Sequence, residues 1–415
     1  MTSARRVLVT DGEQRSALAL VRSLGRAGHE VYVCSARERP LAGASRYSRS
    51  EARVADPMEH SERFETDVRV LIQRWKIDVL IPVSEAALLA LLPARERLGD
   101  VVLPFPGDAT FRRICDKAEL LAVAPRVGIA IPQQLALLTV EDGRSLDLSA
   151  VGYPVVVKPG RSVGEGMDSS RSSGSPGVPV EGGGKARRTK LTVRHAANAS
   201  ELSDALDEFG MDAYPLLIQQ RIIGPGVGIF LLPWEGRLIA SFAHRRIREK
   251  PPSGGVSVYR ESIAADPGLL ERSRALLDHF GWCGVAMVEY KVEERTGTPY
   301  LMEVNGRFWG SLQLAIDAGV DFPALLLAAA SGEPVIPVHE YRTGVRSRWW
   351  WGDVDHLIAR LRRSRSALSL PPEAPGRWSA VRDFLTIHSG VDREEILRRD
   401  DPLPFLRESL QWFHL

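Results

Sequence analysis

The sequence predicts an α/β protein built on a parallel sheet, followed by a second, more strand-rich half. Three observations carry this. Strand-length apolar runs alternate with helix-period segments over residues 1–110. From about residue 111 the alternation gives way to paired strands separated by glycine-bearing turns. At 415 residues the chain exceeds one typical domain, so two or three are expected.

Taken in order, "RVLVTDG" (6–12) is a strand ending in a turn, "RSALALVRSLGRAGH" (15–29) an amphipathic helix closed by Gly28, and "EVYVCSA" (30–36) a second strand. "FETDVRVLIQRWKI" (64–77) reads as a helix, "DVLIPVS" (78–84) as a strand, "EAALLALLPARERLG" (85–99) as a helix and "VVLPFPG" (101–107) as one more strand. This βαβ rhythm specifies a parallel sheet with helices on both faces. Such sheets bind small molecules at the carboxyl ends of their strands, which here carry Asp11-Gly12-Glu13 and Ser84-Glu85. No GxGxxG follows the first strand, so a dinucleotide is not indicated.

Composition narrows the class. Charged residues make up 26% and the net charge is +2, from 54 basic and 52 acidic residues, which argues against a dedicated nucleic-acid binder. No uninterrupted apolar run approaches membrane-spanning length, and "MTSARRVLVTDG" runs straight into a strand pattern, so neither a membrane span nor a signal peptide is expected. Cys34, Cys115 and Cys283 are odd in number and lack a CxxC pair, which fits a reduced cytoplasmic protein without structural zinc.

In the second half, "DATFRRICDKAELLAVAPRVGI" (108–129) is helical and "YPVVVKPGRSVGEGM" (153–167) is a strand running into a glycine-bearing loop. Residues 169–190 are low in complexity and expected to be a mobile linker. Strands follow at "YPLLIQQRIIG" (214–224), "GVGIFLLPW" (226–234) and "GRLIASFAHRRIR" (236–248), then a helix at "DPGLLERSRALLDHFGWCG" (266–284).

After that helix, "VAMVEYK" (285–291) and "YLMEVNGRFWGS" (300–311) put carboxylates into runs that otherwise read as buried strands. Thr296, Gly297 and Thr298 between them make a good hairpin turn. A hairpin centred on Thr296 sets Glu289 opposite Glu303 and Asn305 opposite Met287. Directly opposed side chains lie roughly 5 Å apart at Cβ, so two like charges repel and need a cation or a shared proton. Carboxylates with an amide oxygen are the hard ligands of Mg²⁺. The alternative is one glutamate in solvent and the other paired with Lys291 or Arg307.

Lys158 ends an apolar strand just before Gly160, Gly164 and Gly166, a pattern that brings backbone N–H groups close to phosphate oxygens. The spacing is not that of a P-loop. Lys117 stands near a helix start in "CDKAEL". At strand alternation, His244, Arg246 and Arg248 share one face, either solvated or set to bind a substrate carboxylate. Trp349, Trp350 and Trp351 are either a stacking platform or the packing of a carboxyl-terminal extension.

The order of "DK", "PVVVKP" with its glycines, "LLIQQRIIG", "MVEYK" and "MEVNGRFWGS" resembles the ATP-grasp superfamily. The likeness is to the biotin carboxylase and carbamoyl-phosphate synthetase large-subunit type, including D-aspartate ligase-like carboxylate–amine ligases, and runs from about residue 5 to 335. It implies a Rossmann-like domain at 1–110, a two-subdomain ATP-grasp fold at 111–335 with its lid at about 131–220, and an extension at 336–415. It further implies ATP and Mg²⁺ (or Mn²⁺) as cofactors. Lys117 and Lys158 would meet phosphates, Gly164, Gly166 and Met167 would lie in the lid loop, and Gln219, Gln220 and Ile222 would read adenine. Glu289, Glu303 and Asn305 would hold metal, and Arg307 would stabilise an acyl phosphate. The reaction implied is ADP-forming ligation of a small-molecule carboxylate to an amine, with a carboxylase, a kinase or a non-catalytic ATP-binding regulator as alternatives. His244, Arg246 and Arg248 are candidates for the carboxylate, and Ser84 and Glu85 for the amine. A homodimer is left open.

Overall fold

The structure, a computed structural model, describes residues 4–161, 163–167, 186–191, 193–371, 374–386, 388 and 390–413. Uninterrupted valine and leucine runs become the centre of a parallel sheet: β1 (Arg6–Val9), β2 (Glu30–Ser35), β3 (Ser48–Arg53) and β4 (Val79–Ile81), in the order β3-β2-β1-β4. The helix Arg15–Arg26 turns Ala17, Leu18, Leu20, Val21 and Leu24 into this core, as its 3.6-residue apolar spacing requires. The polar β3, "SRSEAR", escapes a reading based on apolar runs because it is an edge strand with alternate residues half-buried. The strand expected at 101–107 is instead a single bridge from Val102 to Val79, since Pro104 and Pro106 have no N–H to extend a ladder.

The chain continues through β5 (Gln134–Leu137), β6 (Val155–Pro159), β7 (Val163–Met167), β8 (Ala186–Lys190), β9 (Arg194–Ala196) and β10 (Leu216–Gln220). Four of these form a sheet ordered β5-β10-β6-β9, and β7 pairs with β8. Gly164, Gly166 and Met167 therefore lie in a strand and not a loop, opposite Thr189, Arg187 and Ala186. Of the linker expected at 169–190, residues 186–190 are strand and 169–185 lie outside the described residues. Arg188 ties this hairpin to the first half of the chain, donating to the carbonyls of Met58 and Pro57 in the turn after β3 and of Leu89 in the helix Glu85–Leu91.

The remaining strands, β11 (Gly226–Trp234), β12 (Arg237–Lys250), β13 (Val256–Ser262), β14 (Ala286–Val292), β15 (Pro299–Asn305), β16 (Arg346–Arg348) and β17 (Asp392–Glu394), make one sheet ordered β15-β14-β11-β12-β13-β16-β17. Its apolar face and the first sheet share a continuous core. The helical stretch expected at 108–129 breaks at Asp116, whose carboxylate accepts from the N–H groups of Ala118 and Glu119 and so starts a new helix at Lys117.

Residues beyond 336 add β16 and the edge strand β17 and the helices Trp350–Arg362, Arg377–Leu385 and Leu403–Trp412. The three tryptophans pack this piece onto the body. Trp351 stacks on Trp412 at 4.3 Å, Trp350 lies against Phe384, and the Arg15 guanidinium sits 4.0 Å over Trp349. Buried ion pairs fix the contact. Arg22 meets Asp401 at 2.8 Å, both side chains 1% exposed, and Glu395 bridges Arg15 and Arg260. No single helix among the described residues is long and apolar enough to cross a membrane.

Glu408 carries the least comfortable charge in this interface. Burial pushes its carboxyl from the ordinary 4.5 up to about 7, although Trp349 Nε1 donates to it at 2.7 Å. A carboxyl that binds its proton more tightly when folded loses stability as pH rises from about 4.5 to 7. Glu408→Gln keeps an acceptor for Trp349 and removes the charge. Melting curves at pH 7.5 should therefore show the variant more stable by about 2 °C or more, with the difference gone at about pH 4.

Candidate functional site

The turn after β14 closes with Gly297 at φ +72°, its N–H donating to the Glu293 carbonyl at 2.8 Å. Next to that turn Val292 pairs with Pro299, Lys291 with Tyr300 and Tyr290 with Leu301. A bulge at Met302, between these pairs and the cluster, then moves the register by one and sets Glu289 opposite Glu303 and Met287 opposite Asn305. Because paired residues share a face, one row across the sheet reads Glu303, Glu289, Gly228, His244 and Ser262. One step along, Lys291 lies across from Gly226 and Arg246 across from Arg260.

The two glycines are needed here. A Cβ on Gly228 would come within 3.0 Å of the His244 ring and 2.8 Å of Phe230, and one on Gly226 within 2.8 Å of Arg246 Cδ. Over that bare backbone Arg246 crosses β11 to reach Glu289 at 2.5 Å, and it also donates to Glu249 at 2.8 Å and to the Gly255 carbonyl. Lys291 meets Glu249 at 3.5 Å. Asn305 donates to Glu303 at 3.0 Å, while its Oδ1 accepts from Arg307 at 3.0 Å.

The two opposed carboxylates have different surroundings. Burial raises the Glu289 carboxyl above its ordinary range despite Arg246. Burial also works against charge on Glu303, but Lys117, the Asn305 hydrogen bond, Lys158 and Arg307 outweigh it and hold that carboxyl low. Lys158 is itself pulled down to about 8 by burial, which the nearby Glu303 only partly offsets. Lys117 is buried, and its N–H donates to the carbonyl of Gly160, two residues past Lys158, so the two lysines are tied together.

A second polar surface faces this one. In the β5-β10-β6-β9 sheet, Val155, Val157, Leu216 and Ile218 turn to one side and pack with Leu202 and Ala205 of the helix Ala199–Asp207 in a small separate core. The register places Lys158, Gln219 and His195 on the other side. Lys158 reaches Met302 of β15 there. Gln219 donates to Gln134 at 2.7 Å, yet its own Oε1 is buried without a partner, as is Nδ1 of His195. Burial, with Arg221 and Lys158 nearby, drops the His195 ring to about 4, leaving it neutral.

The structure thus brings together Lys117, Lys158, Arg246, Glu289, Glu303, Asn305 and Arg307. Glu85 joins them, lining one small pocket with Cys115, Lys117, Glu303 and Asn305. Its carboxyl is raised by burial, with Arg307 and Lys117 opposing. Gln219 faces the cleft, Ile222 is buried next to it in sequence, and Gln220 is exposed, holding the strand through its N–H.

Three expected substrate residues lie elsewhere. Ser84 is spent on its own backbone, accepting from Ala87 N–H and donating to Asp11 at 2.7 Å. His244 is 1% exposed, set edge-on to Phe230 at 4.8 Å, and burial holds it neutral. Arg248 leaves the shared face because a bulge between Arg246 and Arg248 breaks strand alternation; it pairs with Asp353 through both nitrogens at 2.6 Å. The same bulge turns Glu249 toward Arg246 in its place. Sequence reasoning missed Glu249, His195 and Gln134. The alternate glycines in "GVGIF" were the available signal that neighbouring strands send long side chains across β11.

The residues present fit a divalent cation and a polyphosphate. Among the described residues no three His, Cys, Asp or Glu side chains cluster as a complete cage, so a cation here would complete its shell with other oxygens. Two guanidiniums already lie on the prospective ligands, Arg246 on Glu289 and Arg307 on Asn305 Oδ1, so positive charge is accommodated at both.

Comparison with known proteins bears on the fold. A family model described as ATP-grasp in the biosynthetic pathway with Ter operon matches residues 212–351. No curated protein matches the chain. The structure is similar to an L-amino acid ligase from Bacillus licheniformis at 18% identity and TM-score 0.58, covering 81% of this chain and 78% of that one. It is similar to the biotin carboxylase domain dimer of 2-oxoglutarate carboxylase from Hydrogenobacter thermophilus, solved with MgADP and bicarbonate, at 17% identity and TM-score 0.58, over 83% and 74%. The ADP complex of N5-carboxyaminoimidazole synthetase from Staphylococcus aureus gives 13% identity and TM-score 0.60, over 83% and 82%. The chain has the ATP-grasp fold.

Proposed function

We propose that the chain is an ATP-dependent ligase that activates a small-molecule carboxylate as an acyl phosphate, releases ADP and couples the acyl group to an amine. The observation that carries this reading is the opposition of Glu289 and Glu303 on a half-buried face, with Asn305 beside them and Lys117, Lys158 and Arg307 around them. Such hard oxygen donors suit Mg²⁺ or Mn²⁺. The fold shared with an L-amino acid ligase supports the reading.

In this scheme an oxygen of the substrate carboxylate attacks the γ-phosphorus, and the bond to the bridging oxygen breaks as ADP leaves. Lys117 and Lys158 neutralise the transferred group, and a phosphate beside Lys158 restores its full charge. Gln219, Gln220 and Ile222 hold the base, and the backbone of Gly164, Gly166 and Met167 covers the phosphates. A divalent cation, when held by Glu289, Glu303 and Asn305, offsets charge on the transferring phosphoryl group. Arg307 donates to the acyl-phosphate oxygens, and Arg246, whose Nε has no partner, serves the anionic substrate. The amine then attacks the acyl carbon, the bond to the phosphate oxygen breaks, and phosphate leaves. Glu85, facing Arg307, is the carboxyl offered to the amine. The division at about residues 110 and 335, and a reduced cytoplasmic setting for the free Cys34, Cys115 and Cys283, belong to the same reading.

Incubation with Mg-ATP and a pooled small-molecule extract of the source cells should yield ADP and phosphate, with a new mass equal to two extract components less water. AMP with pyrophosphate would refute acyl-phosphate chemistry. A second test concerns Arg307. Arg307→Lys should bind a non-hydrolysable ATP analogue as tightly as the parent while turnover falls roughly 10²-fold or more, the cost of losing one preorganised donor at a developing charge. Equal turnover would remove Arg307 from the chemistry.

A further inference from the structure

The Arg246 guanidinium occupies an unusual position. It reaches a carboxylate two strands away, and the path exists only because residue 226 has no side chain. Both terminal nitrogens are engaged, one by Glu289 at 2.5 Å and the other by Glu249 at 2.8 Å and the Gly255 carbonyl at 3.1 Å, while Nε is buried without an acceptor. Glu249 is in turn shared with Lys291, which also donates to the Gly224 carbonyl. Glu289 faces Glu303 directly, and Glu303 takes its compensation from the opposite side, from Lys117, Lys158 and Arg307. Arg246 is therefore the cation set against charge on Glu289.

We propose that Arg246 is a built-in counter-ion that holds the place of the divalent cation on Glu289 and must release it when the metal–nucleotide complex enters. This rests on the reading of the β14–β15 hairpin as the metal site. The competition is electrostatic, since a divalent cation on the carboxylate that the guanidinium contacts through Oε2 would lie within a few ångströms of a like charge. Glu249 makes release affordable: with Lys291 beside it, Glu249 keeps a carboxylate under the guanidinium after Glu289 has turned away, so no buried charge is left bare. Besides the substrate contact proposed for it, Arg246 thus sets how much Mg²⁺ the site demands.

The test reads binding, not turnover. At a fixed concentration of a non-hydrolysable ATP analogue, Mg²⁺ is titrated and nucleotide binding followed by calorimetry, giving the Mg²⁺ concentration at half-saturation. Competition for one carboxylate is a coupling, and removing the competitor should lower that concentration roughly tenfold in Arg246→Gln. Arg246→Lys, which restores a charge, should return toward the parent. Gly226→Ala keeps the arginine but obstructs its path, so it should shift the same way as Arg246→Gln, and it carries the test if Arg246→Gln does not fold. An unchanged or raised Mg²⁺ requirement in Arg246→Gln, or in Gly226→Ala where only that variant folds, overturns the proposal. If nucleotide binding by the parent shows no Mg²⁺ dependence, and Glu289→Gln behaves identically, the metal-site reading itself fails and the proposal falls with it.

Discussion

Two glutamates that directly face each other on a half-buried sheet are the constraint around which the rest is arranged. Opposed like charges in a sheet destabilise it unless something offsets them. Each partner is answered from a different part of the chain. Glu303 is served by Lys117 at the start of a helix that Asp116 initiates, and by Lys158 at the end of β6. Glu289 is served by Arg246 across β11, which requires Gly226, and Arg246 is balanced by Glu249, which requires the β12 bulge. Remove the paired carboxylates and none of these features would have a reason to be where it is.

Much of this was legible in the sequence because the determinants are local. A threonine–glycine turn marks the β14–β15 hairpin, and counting out from Thr296 pairs Glu289 with Glu303, although the observed pairing is reached through a bulge at Met302 that the count did not include. The βαβ rhythm was legible for the same reason. What failed depended on one extra residue or one missing donor. A bulge between Arg246 and Arg248 sends two arginines, two positions apart, to unrelated partners, Arg246 to Glu289 and Arg248 to Asp353 of a helix about a hundred positions later. No propensity scale announces a bulge, because its energy lies in the tertiary partners it creates. Prolines at 104 and 106 reduced an apolar run to one bridge, a fact the sequence did contain and that apolarity alone overrode. Gly164 and Gly166 look like loop residues until β8 supplies a partner beyond the low-complexity stretch.

The carboxyl-terminal piece illustrates a different kind of illegibility. Three consecutive tryptophans are compatible with a ligand platform or a packing interface, and only the partners decide. Here Trp349 lies under Arg15, at the start of the first long helix, and Arg15 in turn lies against Gly310, just past Arg307. Glu395 pins Arg15 from β17's side of the sheet. The extension therefore reaches the loop that carries Arg307 through two side chains, using buried charge where an apolar contact would have sufficed for stability. Buried ion pairs are poor at adding stability and better at fixing one arrangement. Arg22 with Asp401, and Glu395 between Arg15 and Arg260, fit that second role, holding residues far apart in sequence in one register against the site.

The same division of labour explains the cleft. The sheet carrying Lys158 has its own small core on one side, separate from the main one. Its other side gives the main core only Leu217 of β10, and otherwise presents Lys158, Gln219 and His195, two of them with buried polar atoms lacking partners. Buried polar atoms without partners cost free energy, and a fold retains them where a ligand supplies the missing bonds. Opposite them stand the carboxylates, Glu289 met by Arg246 and Glu303 by Lys117, Lys158 and Arg307. One wall lacks partners for two of its polar atoms, the other sets cationic side chains on its carboxylates, and backbone bonds from Lys117 to Gly160 and from Leu301 to Ala130 keep the two in register. In the function proposed above, a nucleotide would bring a donor for Gln219 Oε1 and phosphates for Lys158, and its divalent cation would meet the carboxylates opposite, which neither an apolar ligand nor a bare metal ion would do.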